Sequence, residues 1–191
     1  MTQENLTVNK SLKVSKKEIL DDFLLMNVSR NISYIGRKEV FMGRAKFGVF
    51  GDGKELPQIA MSKFFRNGDF RSGYYRDQTF MMSINQLTPD QFFAQLYAHT
   101  DIKKDPHSGG RQMNCHFGTR LLNENGDWKT QTDMKNSVSD ISCVSGQMPR
   151  IVGLAYASKL YRNNKNLSDM ENFSINGNEV VFGTIGDAST S

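Results

Sequence analysis

The final stretch of the chain, Glu179-Val-Val-Phe-Gly-Thr-Ile-Gly-Asp-Ala-Ser-Thr-Ser191, constrains the fold more than any other. A short β-branched and aromatic run, stopped by Gly186-Asp187 and then by small hydroxyl residues, is expected to form a buried parallel strand. Its carboxyl end should open into a turn and a helix N-terminus. A carboxylate at such a place, beside free backbone N–H groups, suits a divalent cation bridging to a diphosphate. Gly-Asp after a strand is by itself more often only a turn, so its weight depends on the residues upstream.

At 191 residues, with 38% hydrophobic and 23% charged side chains, the chain is long enough for one domain with a substantial core. The 24 basic and 20 acidic residues are scattered, so the net charge of +4 does not by itself indicate a nucleic-acid surface, and a local anion site explains the excess as well. Cys115 and Cys143 lie far apart, with no Cys-x-x-Cys and no histidine at ligand spacing, which argues against a disulfide framework or structural zinc and for a reducing cytoplasm. No run approaches the length of a membrane span, and residues 1–17 are polar, so neither insertion nor secretion is expected.

Residues 1–14 read as a frayed polar tail. Ser15-Lys-Lys-Glu18 is a capping box, and the apolar positions from Ile19 to Met26 predict a helix of about three turns ending near Ser29. Phe47-Gly-Val-Phe-Gly-Asp-Gly53 superficially resembles a phosphate loop but lacks both a preceding strand and a Gly-Lys-Ser/Thr. A second helix is expected over Glu55–Phe65, with Ile59, Met61 and Phe64 or Phe65 buried. Asp69 to Gln78 holds too many polar donors for a core strand. Within it, Tyr75-Arg76 offers a hydroxyl and a planar fork for phosphate oxygens, against the plainer alternative of an Arg76 ion pair with Asp69 or Asp77.

Thr88-Pro-Asp-Gln91 combines an N-cap, an N1 proline and a capping-box glutamine ahead of a helix running to near His99. His116, in a loop with Arg111 and Gly118, is a candidate catalytic residue beside the ordinary alternative of a satisfied structural histidine. Residues 119–140 carry no recognisable chemistry. Ser142 to Pro149 offers hydroxyls, carbonyls and the Gln147 amide, a set suited to a monovalent cation or a polar ring edge, with helix capping as the alternative. It precedes a helix over Arg150–Tyr161, whose small residues Gly153, Ala155, Ala157 and Ser158 suggest burial over much of its surface.

Arg111-Gln-Met-x-x-His116-Phe-Gly, Ser142-x-Val-x-x-Gln147-x-Pro149 with the following Val-Gly-x-Ala-Tyr-Ala157-x-Lys159, and Val-x-Gly-x-x-Gly-Asp187-Ala-Ser resemble three blocks of one family. Tyr75-Arg76-Asp-Gln resembles a fourth. The family is the thiamine-diphosphate-dependent 2-oxo acid dehydrogenases of alpha-subunit type, closest to the branched-chain (2-oxoisovalerate) enzymes. The resemblance implies an α/β chain that is part of a thiamine-diphosphate-binding fold, a parallel sheet flanked by helices. Residues 1–50 would be an N-terminal helical extension and residues 51–191 the N-terminal portion of the diphosphate-binding domain.

By the same resemblance, Tyr75 and Arg76 would hold the diphosphate, and Ser142 with the backbone of Val144 would contact the aminopyrimidine. Asp187, after Gly186, would ligate Mg2+, with Ala188 and Ser189 presenting backbone N–H groups to the diphosphate. Gln147 would belong to a potassium-binding loop, in which Gly146 stands for a family threonine and Cys143 for a proline; the family also has glycine where Ala188 stands. His116 falls at an active-site histidine. The implied activity is decarboxylation of a 2-oxo acid and transfer of the acyl group to a lipoyl carrier, in a heterotetramer whose beta-type half or subunit completes the site. The family motif continues past Gly-Asp to an asparagine that completes the metal site, so the chain is expected to be the front part of a longer polypeptide, inactive alone. An acetoin-cleaving or transketolase-like thiamine enzyme, and a non-catalytic fragment binding a partner through its sheet edge, are the alternatives.

Overall fold

The computed structural model describes residues 14–190; the polar tail expected over residues 1–14 lies almost wholly outside them, as does Ser191. Helix α1, Lys16–Phe41, starts where the capping box predicts, with the Ser15 hydroxyl accepting from the Glu18 N–H at 3.1 Å. It continues three turns beyond the expected end at Ser29. Its inner face there is built from small polar residues: Ser29, Ser33 and Gly36 are buried with Ile32, and only the last is apolar. Ser29 and Ser33 both bind the buried Gln78 side chain, and a Cβ on Gly36 would collide with the Phe50 ring.

Helix α2, Glu55–Ser62, is shorter than expected and buries Ile59; beyond its end Phe65 is buried, as one of the two expected alternatives, and Phe64 is 70% exposed. Strand β1, Phe70–Ser72, helix α3, Gln78–Ser83, and helix α4, Pro89–Leu96, follow. The α4 capping box forms as predicted, Thr88 and Gln91 each bonding the other's backbone N–H, and the helix stops short of His99. After a long loop come strand β2, Asn136–Ser137, helix α5, Gln147–Asn163, and strand β3, Val181–Gly183.

The sheet is parallel, in the order β2-β1-β3, with Phe70 opposite both Asn136 and Val181. The strand expected at the chain's end is therefore present and parallel. It is only half-buried because it forms a sheet edge among the described residues. Alternation along β3 sends Phe182 to one face, where its ring meets Phe65 edge-on at 5.0 Å. The same face carries the main core of Phe80, Met81, Ile84, Phe92 and Phe117, closed by α1, α3 and α4. Gly183 points to the other face, where α5 lies so close that a Cβ would overlap Ile151.

Two expectations are corrected here. Helix α5 buries only Gln147 on its surface: Met148, Val152, Tyr156 and Leu160, four residues apart, all face outward. Small residues permit close approach to a neighbour but do not supply one. Conversely, the segment judged too polar for a core strand contains the central strand. Arg71 is 1% exposed because Asp140 takes it bidentately, at 2.9 and 3.0 Å, while Asp77 accepts its Nε–H at 3.0 Å and Ser137 its Nη1–H at 2.8 Å. Burial works against the guanidinium's charge, and Asp140 and then Asp77 outweigh it, holding the pKa above its ordinary value.

Removing one member strands the others in a dry site, so Asp140→Ala is expected to cost about 3–5 kcal/mol in denaturant unfolding. A loss below ~1 kcal/mol would show that water or a shifted side chain replaces the carboxylate. Asp105, also buried, accepts from the His107, Ser108 and Gly110 N–H groups and the Ser108 hydroxyl. Burial raises its pKa, but these bonds prevail and hold it below the ordinary carboxylate value. A depressed folded-state pKa gives stability that is present above the unfolded value and lost as pH falls through the folded one. Asp105→Asn should therefore flatten the acid limb of the stability profile below about pH 4; an unchanged limb would remove Asp105 from that role.

Candidate active site

The loop leaving β1 is wound around the buried guanidinium. The Arg71 Nη2–H donates to the Tyr74 carbonyl at 3.1 Å, Asp77 accepts the Tyr74 N–H at 3.0 Å, and a Cβ on Gly73 would sit inside the guanidinium. This winding presents Tyr74, Tyr75 and Arg76 on one side. The two tyrosine rings lie 4.1 Å apart, and the Arg76 guanidinium carbon stands 5.9 and 6.0 Å from them. Burial, and then the neighbouring Tyr75 hydroxyl, push the Tyr74 phenol up to about 12, which keeps it protonated.

The ion pair once open to Arg76 does not form. Asp77 is taken by Arg71, and Asp69 accepts the backbone N–H groups of Arg66 and Val180. The Arg76 Nε is buried with no hydrogen-bond partner among the described residues. A buried guanidinium nitrogen left in that condition is matched to an anionic ligand.

His116 is buried to 3% exposure, its ring nearly parallel to that of Tyr75 with centroids 6.4 Å apart. Its Nδ1 lies 3.2 Å from the Asn114 carbonyl, which can only accept, so Nδ1 carries a proton. In the neutral ring Nε2 then accepts from the Ser142 hydroxyl at 2.9 Å. Asn114 has a second role: its side chain accepts the Val49 N–H at 2.9 Å and donates to the Val49 carbonyl at 2.7 Å. Cys115 between them adopts a left-handed φ of 61° and is fully buried, and burial pushes its thiol well up, so it stays a protonated donor to Val49.

These segments enclose a cavity of about 520 Å³, lined by Tyr75, Arg76, His116 and Ser142 on one side. Phe47, Val49, Phe50 and Met113 form the apolar side, with Arg37 at the edge. The Phe47–Gly53 run is thus a cavity wall, and a Cβ on Gly48 would overlap the Phe50 ring that the wall presents. Val144 does not line this cavity and its side chain is 58% exposed.

The exit of β3 is bound to the same framework. The Thr184 hydroxyl donates to Asp77 at 2.6 Å, and the Gln147 amide donates to the Thr184 carbonyl at 2.7 Å. A Cβ on Gly186 would come within 2.8 Å of the Tyr74 hydroxyl. Asp187 then opens a short 3-10 turn, Asp187–Thr190, with its carboxylate exposed. The Ser189 N–H donates to the Gly186 carbonyl at 3.0 Å. The Ser189 carbonyl accepts the Ser145 hydroxyl, joining the turn to the Ser142–Gln147 loop.

The orphaned Arg76 nitrogen fits a diphosphate oxygen, whereas Asp187, with its side chain exposed, is not among the residues that line the cavity. Among the described residues no group of three or more His, Cys, Asp and Glu side chains is gathered for a metal ion. Sequence reading missed Arg71, Asp140 and Asn114 and offered Asp77 only as an ion-pair partner for Arg76; all four are buried and hold the site from behind. Their segments gave no such signal, because Asp69–Gln78 reads as too polar for a core strand and residues 119–140 show no recognisable chemistry.

The family model described as "Dehydrogenase E1 component" matches residues 25–191, reaching upstream into α1. A 2-oxoisovalerate dehydrogenase subunit alpha of Bacillus subtilis (strain 168) is 27% identical over 154 residues, 80% of this chain and 41% of that protein. The mitochondrial 2-oxoisovalerate dehydrogenase subunit alpha of Caenorhabditis elegans is 26% identical over 143 residues, 75% of this chain and 28% of that protein. The chain thus spans well under half the length of these curated relatives. With the matched region taking in α2 to α5 and every cavity-lining residue, the chain belongs to the dehydrogenase E1 component family, as a member of thiamine-diphosphate-dependent, alpha-subunit type.

Proposed function

We propose that this chain supplies the diphosphate-holding side of a decarboxylating 2-oxo acid dehydrogenase that acts on branched-chain substrates. A beta-type half or subunit completes the site in a heterotetramer, and a lipoyl group on the acyltransferase component accepts the acyl product. The observation that carries the reading is the meeting of Tyr75, Arg76, His116 and Ser142 around one cavity, with the Arg76 Nε buried and unpartnered. The two relatives named above, both 2-oxoisovalerate dehydrogenase alpha subunits, support the branched-chain substrate class. A cytoplasmic location belongs to the same proposal and is supported by two free cysteines.

Thiamine diphosphate, when bound, supplies the electron sink for decarboxylation. The chain's residues bind and orient. Arg76 would take diphosphate oxygens through its fork with Tyr75 alongside, and Asp187 would be a carboxylate ligand for Mg2+. Ser142 and the Val144 backbone face the aminopyrimidine end. His116 holds or receives a proton at Nε2, since Nδ1 is committed to Asn114. The Phe47, Val49, Phe50 and Met113 wall excludes water and suits a branched apolar side chain. K+ at the Ser142–Gln147 loop would use the Gln147 Oε1, because its amide nitrogen is engaged with Thr184.

The test is calorimetric titration of thiamine diphosphate with Mg2+ into the full-length protein joined by its beta-type partner. Arg76→Gln should weaken binding by about 10- to 100-fold, the equivalent of one sheltered charge-assisted contact, and Asp187→Asn should remove the Mg2+ dependence. Unchanged affinity in both variants would end the proposal. His116→Asn should lower kcat about 10²- to 10⁴-fold while cofactor affinity stays near that of the parent. Equal loss of cofactor binding would reassign His116 from proton handling to scaffolding.

A further inference from the structure

On the far side of His116 from the cavity lies a second, polar pocket of about 310 Å³. His116 and Phe117 form its floor, and Arg111 and Arg120 stand at its rim with Gln112 and Ser139. Each arginine is fastened by one main-chain contact to the same loop: Arg111 Nη1–H donates to the Ser108 carbonyl at 3.2 Å, and Arg120 Nε–H to the Pro106 carbonyl at 3.1 Å. That loop is in turn held by the buried Asp105 carboxylate. The remaining guanidinium N–H groups have no carboxylate. Neither arginine takes part in an ion pair among the described residues, whereas Arg30, Arg37, Arg44 and Arg71 all do.

The one acidic side chain at the pocket, Asp140, is paired with Arg71 and accepts the Phe117 N–H, but Asp77 shares that guanidinium, so the buried group keeps one net negative charge. His107, on the pocket wall, has its pKa lowered mainly by burial, so near neutral pH it adds no charge. Two anchored, unpaired guanidiniums at one concavity thus outnumber the single net negative charge of the Arg71–Asp77–Asp140 group beneath it. The positive surplus suits an anion, and the guanidinium fork matches tetrahedral oxygens. We propose that this pocket is a second anion site, taking a phosphate monoester, separate from the diphosphate position at Arg76 and divided from it by His116.

The site does not depend on the cofactor reading. Titration of inorganic phosphate into the isotopically labelled chain, followed by amide and imidazole NMR, tests it directly. The Arg111, Arg120, His107 and His116 signals are expected to move together and saturate at millimolar phosphate. Arg111→Gln or Arg120→Gln should weaken binding about tenfold each, and the double variant should abolish it. Ser139→Asp, which adds a carboxylate at the rim, should also abolish it; all three positions are exposed, so circular dichroism should confirm an unchanged fold.

Arg76→Gln is the discriminating control. Shifts that disappear in Arg76→Gln but persist in Arg111→Gln/Arg120→Gln would put the anion in the cavity and overturn the proposal, as would no saturable shift. Free O-phosphoserine and a phosphoserine peptide then separate the sources. Equal affinity identifies a small phosphorylated ligand, and tighter peptide binding identifies a modified protein segment.

Discussion

The arrangement of this molecule depends on one guanidinium kept charged without water. Arg71 is the middle residue of the central strand, and its side chain joins pieces far apart in the sequence: Asp77 at the start of α3, Ser137 on β2 and Asp140 beyond it. A charge of this kind brings little net stability compared with a well-packed apolar core, because desolvation offsets most of the attraction. What it contributes is geometry. Each partner has one place to be, and each carries a functional segment: Asp77 holds the Tyr75-Arg76 loop and the Thr184 hydroxyl, and Asp140 holds the Phe117 amide next to His116.

The same economy of polar contacts explains why the cavity has a fixed shape although loops build most of it. Loops place functional groups well only when their own backbone groups are satisfied by something rigid. Here Asn114 brackets Val49 through both its N–H and its carbonyl, Gln58 binds the Arg76 carbonyl and the Phe80 N–H, and Gln147 binds Thr184. The side chains facing the cavity are left with unspent capacity, most plainly the Arg76 Nε. The Arg76 Nε is the one such buried, unpartnered nitrogen on the cavity lining among the described residues, the condition a charged ligand relieves.

The outer surfaces are less finished. The outward stripe of α5 and the residues of early α1, among them Phe23 and Leu24, leave large apolar side chains facing out. The half-buried β3 edge has the same character. Both suit a chain that spans only part of the length of its relatives.

Much of this was legible in the order of the residues. The capping boxes at Ser15 and Thr88 mark helix starts because they are local chemistry, a side chain meeting a backbone amide three residues on. The closing apolar run before Gly186-Asp187 announced a parallel strand, and the spaced blocks around Tyr75, His116, Ser142 and Asp187 announced the family. Tertiary structure alone decided that Phe70–Ser72 is the central strand, that α1 runs on to Phe41, and that α5 stays largely exposed. In each case the deciding partner is remote: two aspartates for Arg71, Gln78 for the serines of α1, and no covering layer among the described residues for α5. Local sequence fixes what hydrogen bonds and rotamers fix within a turn or two. Whether a charge is buried or an apolar face is covered depends on residues that only the folded chain brings near.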